Sequence, residues 1–236
     1  MNPRTIITLL AIPLAVLLLL VAPAAVQAQS GSGDGFIYSI NASNANTITL
    51  ISYTGTGGAV SIPTNINGLT VIGIGVNAFS GSFGGLQLTS VTIPSSIASI
   101  GTNAFGGCTR LTNAAMTNGI ASIGGNAFNE TGLTSVTIPA TVTNIGAGAF
   151  SACASLPAIN VDAGNTNYIS VNGVLFDQNQ YTLLQYPANA IGGSYTIPSN
   201  VTSIGGGAFQ NCTGLTNIPI PANVTSIGSD AFLAAC

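Results

Sequence analysis

Six Ala-Phe pairs punctuate the chain, ending at Phe79, Phe105, Phe128, Phe150, Phe209 and Phe232, and three of the gaps between them are 22 or 23 residues. Two further pairs keep step with them. Ile-Pro recurs at Pro63, Pro94, Pro139, Pro198 and Pro221, and Ile-Gly at Gly73, Gly101, Gly124, Gly146, Gly205 and Gly228. A unit this short has too little apolar surface to form a core of its own. Copies stacked in register cover one another, so a fixed period of this size dictates a solenoid.

One unit, "LTSVTIPATVTNIGAGAFSAC" from Leu133 to Cys153, can be read residue by residue. Leu133, Val136 and Ile138 fall on one side of an extended segment and Thr137 on the other, and Val, Thr and Ile suit a pleated strand. Pro139 has no N–H and ends the ladder. Val142 and Ile145 mark a second short extended piece, and Gly146 lets the backbone turn. "AGAFSAC" is predicted as one helical or 3-10 turn that carries Phe150 and Cys153 inward. The phenylalanines should then form a continuous internal spine. The unit at Met116-Thr117 has lost its proline, and "SFGG" before Leu86 accounts for the longer gap between Phe79 and Phe105.

The recurring Leu-x-x-Val-x-Ile-Pro, Val-x-x-Ile-Gly, Ala-Phe and Cys motifs resemble the BspA-like (type 5) leucine-rich repeat family, over residues 59–236. That resemblance implies a curved solenoid with a parallel sheet in a secreted or surface protein, of a kind that often binds other molecules. The expected architecture is mainly β with short helical or 3-10 turns, an N-terminal β-hairpin cap and one inserted β-hairpin. The cap is placed at residues 29–58, where Phe36 to Gly55 alternates apolar and polar residues around an Asn/Ser-rich turn. The solenoid follows at 59–236, with an irregular insertion at 157–195. Its hairpin flanks "DQNQ" (Asp177 to Gln180) and is expected to extend or project from the wall without breaking the stack.

Residues 1–28 read as a signal peptide: Arg4, an apolar run from Ile6 to Val21, Pro23, and "VQA" ending at Ala28. An uncleaved anchor is the alternative, since the run nearly reaches the ~20 residues that span a bilayer. With cleavage, no membrane insertion is expected. The chain stops at a repeat's Cys position, Cys236, which points to a fragment, with further domains expected beyond it, or to an edge that pairs with another chain.

Charge excludes several function classes. Only 3% of residues are charged, Lys plus Arg number 2, and 47% of residues are hydrophobic. Without a basic stripe there is nothing to displace counterions, so no nucleic acid partner is expected. Histidine is absent, which removes the usual general base and metal ligand, and there is no Lys for covalent chemistry. Asp162 and Asp177 share the insertion, but a paired-carboxylate site is improbable from their spacing. "NVDAGNTN" (Asn160 to Asn167) carries one carboxylate, and an Asx-rich turn is favoured over a calcium loop. No enzyme activity, metal or cofactor is expected.

Cys108, Cys153, Cys212 and Cys236 each close an Ala-Phe turn and should be buried free thiols. Cys108 and Cys153 lie two coils apart, beyond disulfide reach. Only Cys212 and Cys236 occupy adjacent coils, and their offsets from the Phe differ by one residue. Asn-x-Ser/Thr at Asn41, Asn129, Asn200, Asn211 and Asn223 is expected from the repeat composition alone.

What remains is surface. Thr89, Thr112, Thr134 and Thr216 occupy one repeat position, and Thr92, Thr137 and Thr196 another, interrupted by Ala115 and Pro219. Threonine suits any exposed strand, and the same ranks would make a neutral hydrogen-bonding platform. The leading expectation is a secreted, non-catalytic binding or adhesion module for an extracellular protein or glycan. A structural spacer in a larger surface protein is the alternative, and an ice-binding Thr array a weaker one.

Overall fold

The computed structural model describes residues 30–33, 35–81 and 87–235. The leader expected at 1–28, the "SFGG" run and Cys236 lie outside the described residues. The chain opens with an antiparallel meander of β1 (Ser30–Gly33), β2 (Phe36–Asn41) and β3 (Asn44–Tyr53). The hairpin expected at 36–55 is β2–β3. The third strand, β1, lies in "SGSG", where no apolar alternation marks it.

Coils then follow. The first holds β4 (Gly58–Ser61), β5 (Asn65–Ile66) and β6 (Leu69–Ile74). The next two give β7 (Leu88–Ile93) with β8 (Ser99–Ile100), and β9 (Asn113–Met116) with β10 (Ser122–Ile123). The fourth gives β11 (Val136–Ile138) with β12 (Asn144–Ile145). The insertion carries β13 (Ile159–Val161), then a meander of β14 (Tyr168–Val171), β15 (Val174–Asp177) and β16 (Thr182–Gln185). The last coils keep only β17 (Ser203–Ile204) and β18 (Ser226–Ile227).

Each coil has three sides. One wall is the parallel run β4–β7–β9, bridged through Asn113 and Ser135 to β11–β13. The second wall is β3–β6–β8–β10–β12, also parallel. Its register pairs Ile74 with Ile100, so the first coil's equivalent of Ile100-Gly101 is Ile74-Gly75 and not Ile72-Gly73. The two pairs differ by two residues, and alternation cannot tell them apart.

The third wall has no strands among the described residues. The expected helical turn is instead a series of reverse turns, with Ala104 N–H donating to Gly101 O, Gly106 to Asn103 and Cys108 to Phe105. Helical winding is broken because the residue before each Ala-Phe is left-handed: Asn77, Asn103 and Asn126 have φ of 57°, 58° and 55°, and Gly148, Gly207 and Asp230 take 65°, 66° and 56°. Asn, Asp and Gly tolerate this region best. Among the described residues no α-helix is present, and no helix is long and apolar enough to cross a membrane.

Coil-to-coil hydrogen bonds run up the turn wall. Phe79, Phe105 and Phe128 N–H each donate to the alanine carbonyl of the next coil (Ala104, Ala127, Ala149) at 2.8 Å. The rings stack beneath them. Phe79 to Phe105 is 4.9 Å between centroids, Phe105 to Phe128 5.1 Å and Phe128 to Phe150 5.5 Å, with planes 19°, 7° and 2° apart. All four are fully buried.

The spine then breaks, contrary to the expectation that the insertion leaves the stack intact. Two separate cores result. The first runs from Phe36 to Ile159 and includes Leu175, and the second is built on Phe176, Tyr186, Phe209 and Cys212. β16 pairs in parallel with β17, which pairs with β18, so the inserted hairpin heads a second short stack. Phe209 is covered by Tyr186 on one side and by Phe232 on the other. The hairpin wedges between β12 and β17 because its own apolar strands, 0–2% exposed at Val174, Leu175, Phe176 and Leu183, bury more surface inside than outside. Backbone bonds still cross the break: Gly148 N–H donates to Gly206 O at 2.9 Å and Asn189 N–H to Leu156 O at 3.0 Å.

Candidate functional site

The strand wall exposes the threonines singled out above. Thr89 and Thr92 lie on β7 and Thr137 on β11, with Thr112 and Thr134 entering β9 and β11, and all five are exposed. Thr196 and Thr216 are exposed as well but belong to the second stack, where this wall is reduced to a bridge between Ser194 and Asn217. The structure therefore gathers five of the seven on the first stack and sets two apart.

The two ranks differ chemically. Thr112 Oγ1 donates to Thr89 O at 3.2 Å and Thr134 Oγ1 to Thr112 O at 3.2 Å, beside backbone bonds between the same residues. Thr216 Oγ1 does the same to Gly193 O at 2.6 Å. These hydroxyl protons tie one coil to the last. Thr92 and Thr137 make no such bond among the described residues. Their registers set Thr92 beside Ala115 and Thr137 beside Asn160, so this rank is not continuous threonine. Ser90, Asn113 and Ser135 form a further rank on the same wall. That rank was legible as polar letters between Leu and Val, but not as part of the face.

Charge adds little. Arg110 Nη1 donates to neutral Gln87 at 2.9 Å. Asp162 accepts from Gly164 N–H and Asp177 from Thr182 N–H, both at 2.8 Å, so each carboxylate serves its own turn. Asn165, the buried residue of "NVDAGNTN", accepts from Asn167 and Tyr168 N–H and donates to Pro139 O and Val142 O. Its amide is used up in holding the loop to the coil before it. Among the described residues no group of three His, Cys, Asp or Glu could hold a metal.

Four of the five Asn-x-Ser/Thr asparagines have structural employment. Asn200 Nδ2 donates to Gln180 O, Asn223 Nδ2 to Ser199 O, Asn129 Nδ2 to Ser151, and Asn41 Nδ2 to Thr47. The thiols of Cys108, Cys153 and Cys212 are buried and free. Cys108 Sγ donates to Phe79 O at 2.9 Å and Cys153 Sγ to Phe128 O at 3.1 Å, one coil back in each case. Burial pushes these thiols up, to about 11 for Cys108 and Cys153 and about 12 for Cys212, which leaves them un-ionised at neutral pH and poor nucleophiles.

At the break in the spine lies a cleft of about 170 Å³, bordered by Ile145, Ala147, Phe150, Leu175, Leu184 and Gln185 among others. Among the described residues, no charged one borders it. Nothing in the repeat pattern announces it, because it exists only where the repeat fails.

With walls, turns and spine in place, the class is that of a leucine-rich repeat solenoid. The chain matches the BspA type leucine rich repeat region in six copies, over residues 73–192 and 192–236, and belongs to that family. The structure is similar to that of the pneumococcal vaccine antigen PcpA, with a TM-score of 0.63 at 19% identity over 88% of this chain and 68% of that one. It is also similar to a leucine-rich repeat protein of Eubacterium ventriosum, with a TM-score of 0.58 at 24% identity over 85% of this chain and 62% of that one. The leucine-rich repeat protein TpLRR of T. pallidum aligns with a TM-score of 0.51 at 24% identity, over 87% of this chain and 89% of that one. No curated protein matches the chain in sequence.

Proposed function

We propose that this protein is a secreted or surface-displayed, non-catalytic binding module that presents its strand wall to an extracellular protein or glycan. The observation that carries this reading is the exposed, uncharged wall of the first stack, where Thr92, Thr137, Asn113, Ser135 and Asn160 stand on a rigid parallel sheet. A face of hydroxyls and amides on a fixed backbone can order several hydrogen bonds at once with little loss of side-chain freedom. Membership of the BspA type family, and the vaccine antigen among similar structures, support placement outside the cell.

The test is binding of the purified chain to arrays of glycans and matrix proteins. Saturable binding that Thr92→Lys with Thr137→Lys weakens at least tenfold is expected. Saturable binding that this pair leaves unchanged, or none at all, would remove the reading. A spacer role is favoured by the other rank, since Thr112, Thr134 and Thr216 spend their hydroxyl protons on the preceding coil. A chain that binds nothing yet holds flanking domains at fixed separation would support that alternative.

A further inference from the structure

Asn-Gly occurs three times in the chain, at Asn67-Gly68, Asn118-Gly119 and Asn172-Gly173. This dipeptide carries chemistry of its own. Glycine has no side chain to shield its amide nitrogen, and the backbone around it moves freely, so the nitrogen can reach the Cγ of the asparagine before it. What decides reactivity is whether that nitrogen and that side chain are already held.

Two of the three occupy the same kind of turn and form a matched pair. Asn67-Gly68 joins β5 to β6 with Ile66 opposite Leu69, and Asn172-Gly173 joins β14 to β15 with Val171 opposite Val174. The asparagines have φ of 52° and 51°, and both glycines 83°, the two positive torsions of a two-residue hairpin loop. Attack requires either turn to open locally, so the shared geometry cancels and the hydrogen bonds discriminate. Gly68 N–H donates to Asn65 Oδ1 at 2.9 Å, and Asn67 Nδ2 to Tyr38 OH at 3.1 Å. At the third site Gly119 N–H donates to Thr141 Oγ1 at 3.0 Å. Among the described residues, Gly173 N–H and the exposed Asn172 side chain have no hydrogen-bond partner.

We propose that Asn172 is a site of self-modification, where the chain converts asparagine to isoaspartate and aspartate. The Gly173 nitrogen loses its proton to hydroxide and bonds to Asn172 Cγ. The Cγ–Nδ2 bond breaks, and ammonia leaves with a proton from water, which restores the hydroxide. Water then opens the five-membered imide. Opening at Cγ gives aspartate, and opening at the Asn172 main-chain carbonyl gives isoaspartate. The balance is one water in and one ammonia out, with no oxidation.

The position gives the change a structural effect. Gly173 O accepts from Ile159 N–H at 2.8 Å, and a Cβ added to Gly173 would lie 2.8 Å from Ala158 Cβ. Ile159 belongs to the first core and Val174 to the second. Isoaspartate lengthens the main chain by one methylene at this junction, where there is no room for it, and takes Gly173 O out of register with Ile159. Aspartate leaves the main chain as it was. Modification to isoaspartate therefore loosens the joint between the stacks. The site does not depend on the reading given to the threonine wall.

The test ages the full chain at pH 8 and 37 °C, digests it with chymotrypsin and follows each Asn-Gly peptide by mass spectrometry, with fragmentation that tells isoaspartate from aspartate. Asn172 should convert about tenfold faster than Asn67 and Asn118, the order that one net hydrogen bond supplies. Asn65→Ala, which releases Gly68 N–H, should bring Asn67 towards the Asn172 rate. If that variant does not fold, the three rates in the unaltered chain still decide. Hydrogen exchange reads the consequence. The Ile159 amide should lose protection in the isoaspartate form and keep it in Asn172→Asp, which adds the charge without lengthening the main chain. Conversion of Asn67 or Asn118 as fast as Asn172, no conversion of Asn172, or an unchanged Asn67 rate in folded Asn65→Ala overturns the assignment. Full Ile159 protection in the isoaspartate form overturns the loosening.

Discussion

Tyr186 lies over Phe209 with ring centroids 5.4 Å apart and planes 26° apart, and Tyr53 lies over Phe79 at the same distance and tilt. The likeness extends to the backbone. Tyr53 N–H donates to Ala78 O and Tyr186 N–H to Ala208 O; Gly75 N–H donates to Leu50 O and Gly205 N–H to Leu183 O. In both places an antiparallel hairpin hands its second strand to a parallel wall and ends in a tyrosine that starts the aromatic stack. The inserted hairpin thus repeats the job of the first one. A stack needs an aromatic roof and a row of paired carbonyls at its head, and a hairpin supplies both.

It follows that Tyr186→Ala should strip the roof from Phe209 and destabilise the second stack by about 3–5 kcal/mol, the range of large aromatic core truncations. Tyr186→Phe should be nearly neutral, since the ring and not the hydroxyl makes the stack. Hydrogen exchange is the appropriate measurement. In Tyr186→Ala, amides of Ile204, Phe209 and Cys212 should lose protection, while those of Phe105 and Phe128 keep theirs. Equal loss in both stacks would show one cooperative unit instead of two.

Within a stack, position sets the cost, as a residue from each shows. Phe128 is enclosed between Phe105 and Phe150 and fully buried, whereas Phe232 stacks, among the described residues, on Phe209 alone and is half-buried. Phe128→Ala should therefore cost about 3–5 kcal/mol in urea denaturation, and Phe232→Ala at least ~1 kcal/mol less, because part of its surface is already in water.

The repeat letters disclosed most of this fold, and the reason is physical. Val136, Ile138, Ile145 and Phe150 recur because each must meet its own copy one coil away, and an in-register stack writes the same demand every 22 or 23 residues. The left-handed position before Ala-Phe was present in the letters too, as Asn, Gly or Asp in all six units. A helical reading of the turn hides it, because a helix admits no left-handed residue there. The second roof was not legible. "LLQYP" gives no sign that Tyr186 replaces a phenylalanine, since the match lies in backbone pairing and ring position. The cleft beside Gln185 was out of reach for the same reason. Of the threonines, the sequence disclosed exposure but not which hydroxyls the neighbouring coil had already claimed.

Ile-Gly recurs because the coils touch there, not because the chain needs unusual torsions. A methyl group added at Gly101 would lie 2.6 Å from Gly75 carbonyl carbon, and one at Gly124 would lie 2.5 Å from Thr102 N. Both obstacles are backbone and cannot swing away. Gly124→Ala should force the walls apart and cost about 1–3 kcal/mol or more, as overpacking does. Gly214→Ala, where nothing lies within 4 Å, should change stability by less than ~0.5 kcal/mol. Thermal denaturation of the two variants compares them directly, and equal effects would remove close approach as the cause.

The buried thiols make the stability depend on alkali. A thiol is neutral when protonated, and burial holds that form, moving Cys108 and Cys153 from their ordinary value of 9.0 to about 11 and Cys212 to about 12. Tyr195 moves in the same direction, to about 12, through burial and the neighbouring Tyr186. Each folded value lies above the unfolded one, so the stabilisation is whole below pH 9 and is lost as pH rises from 9 towards 11 and 12. Denaturation midpoints should accordingly be flat from pH 6 to 8.5 and fall above 9. Cys108→Ala combined with Cys153→Ala and Cys212→Ala should flatten the first part of that fall while lowering the plateau. In the native chain at pH 8, a thiol reagent should label these three cysteines only at the rate of unfolding, since none is both ionised and exposed. Rapid labelling under those conditions would mean that the turn wall opens locally without the stack coming apart.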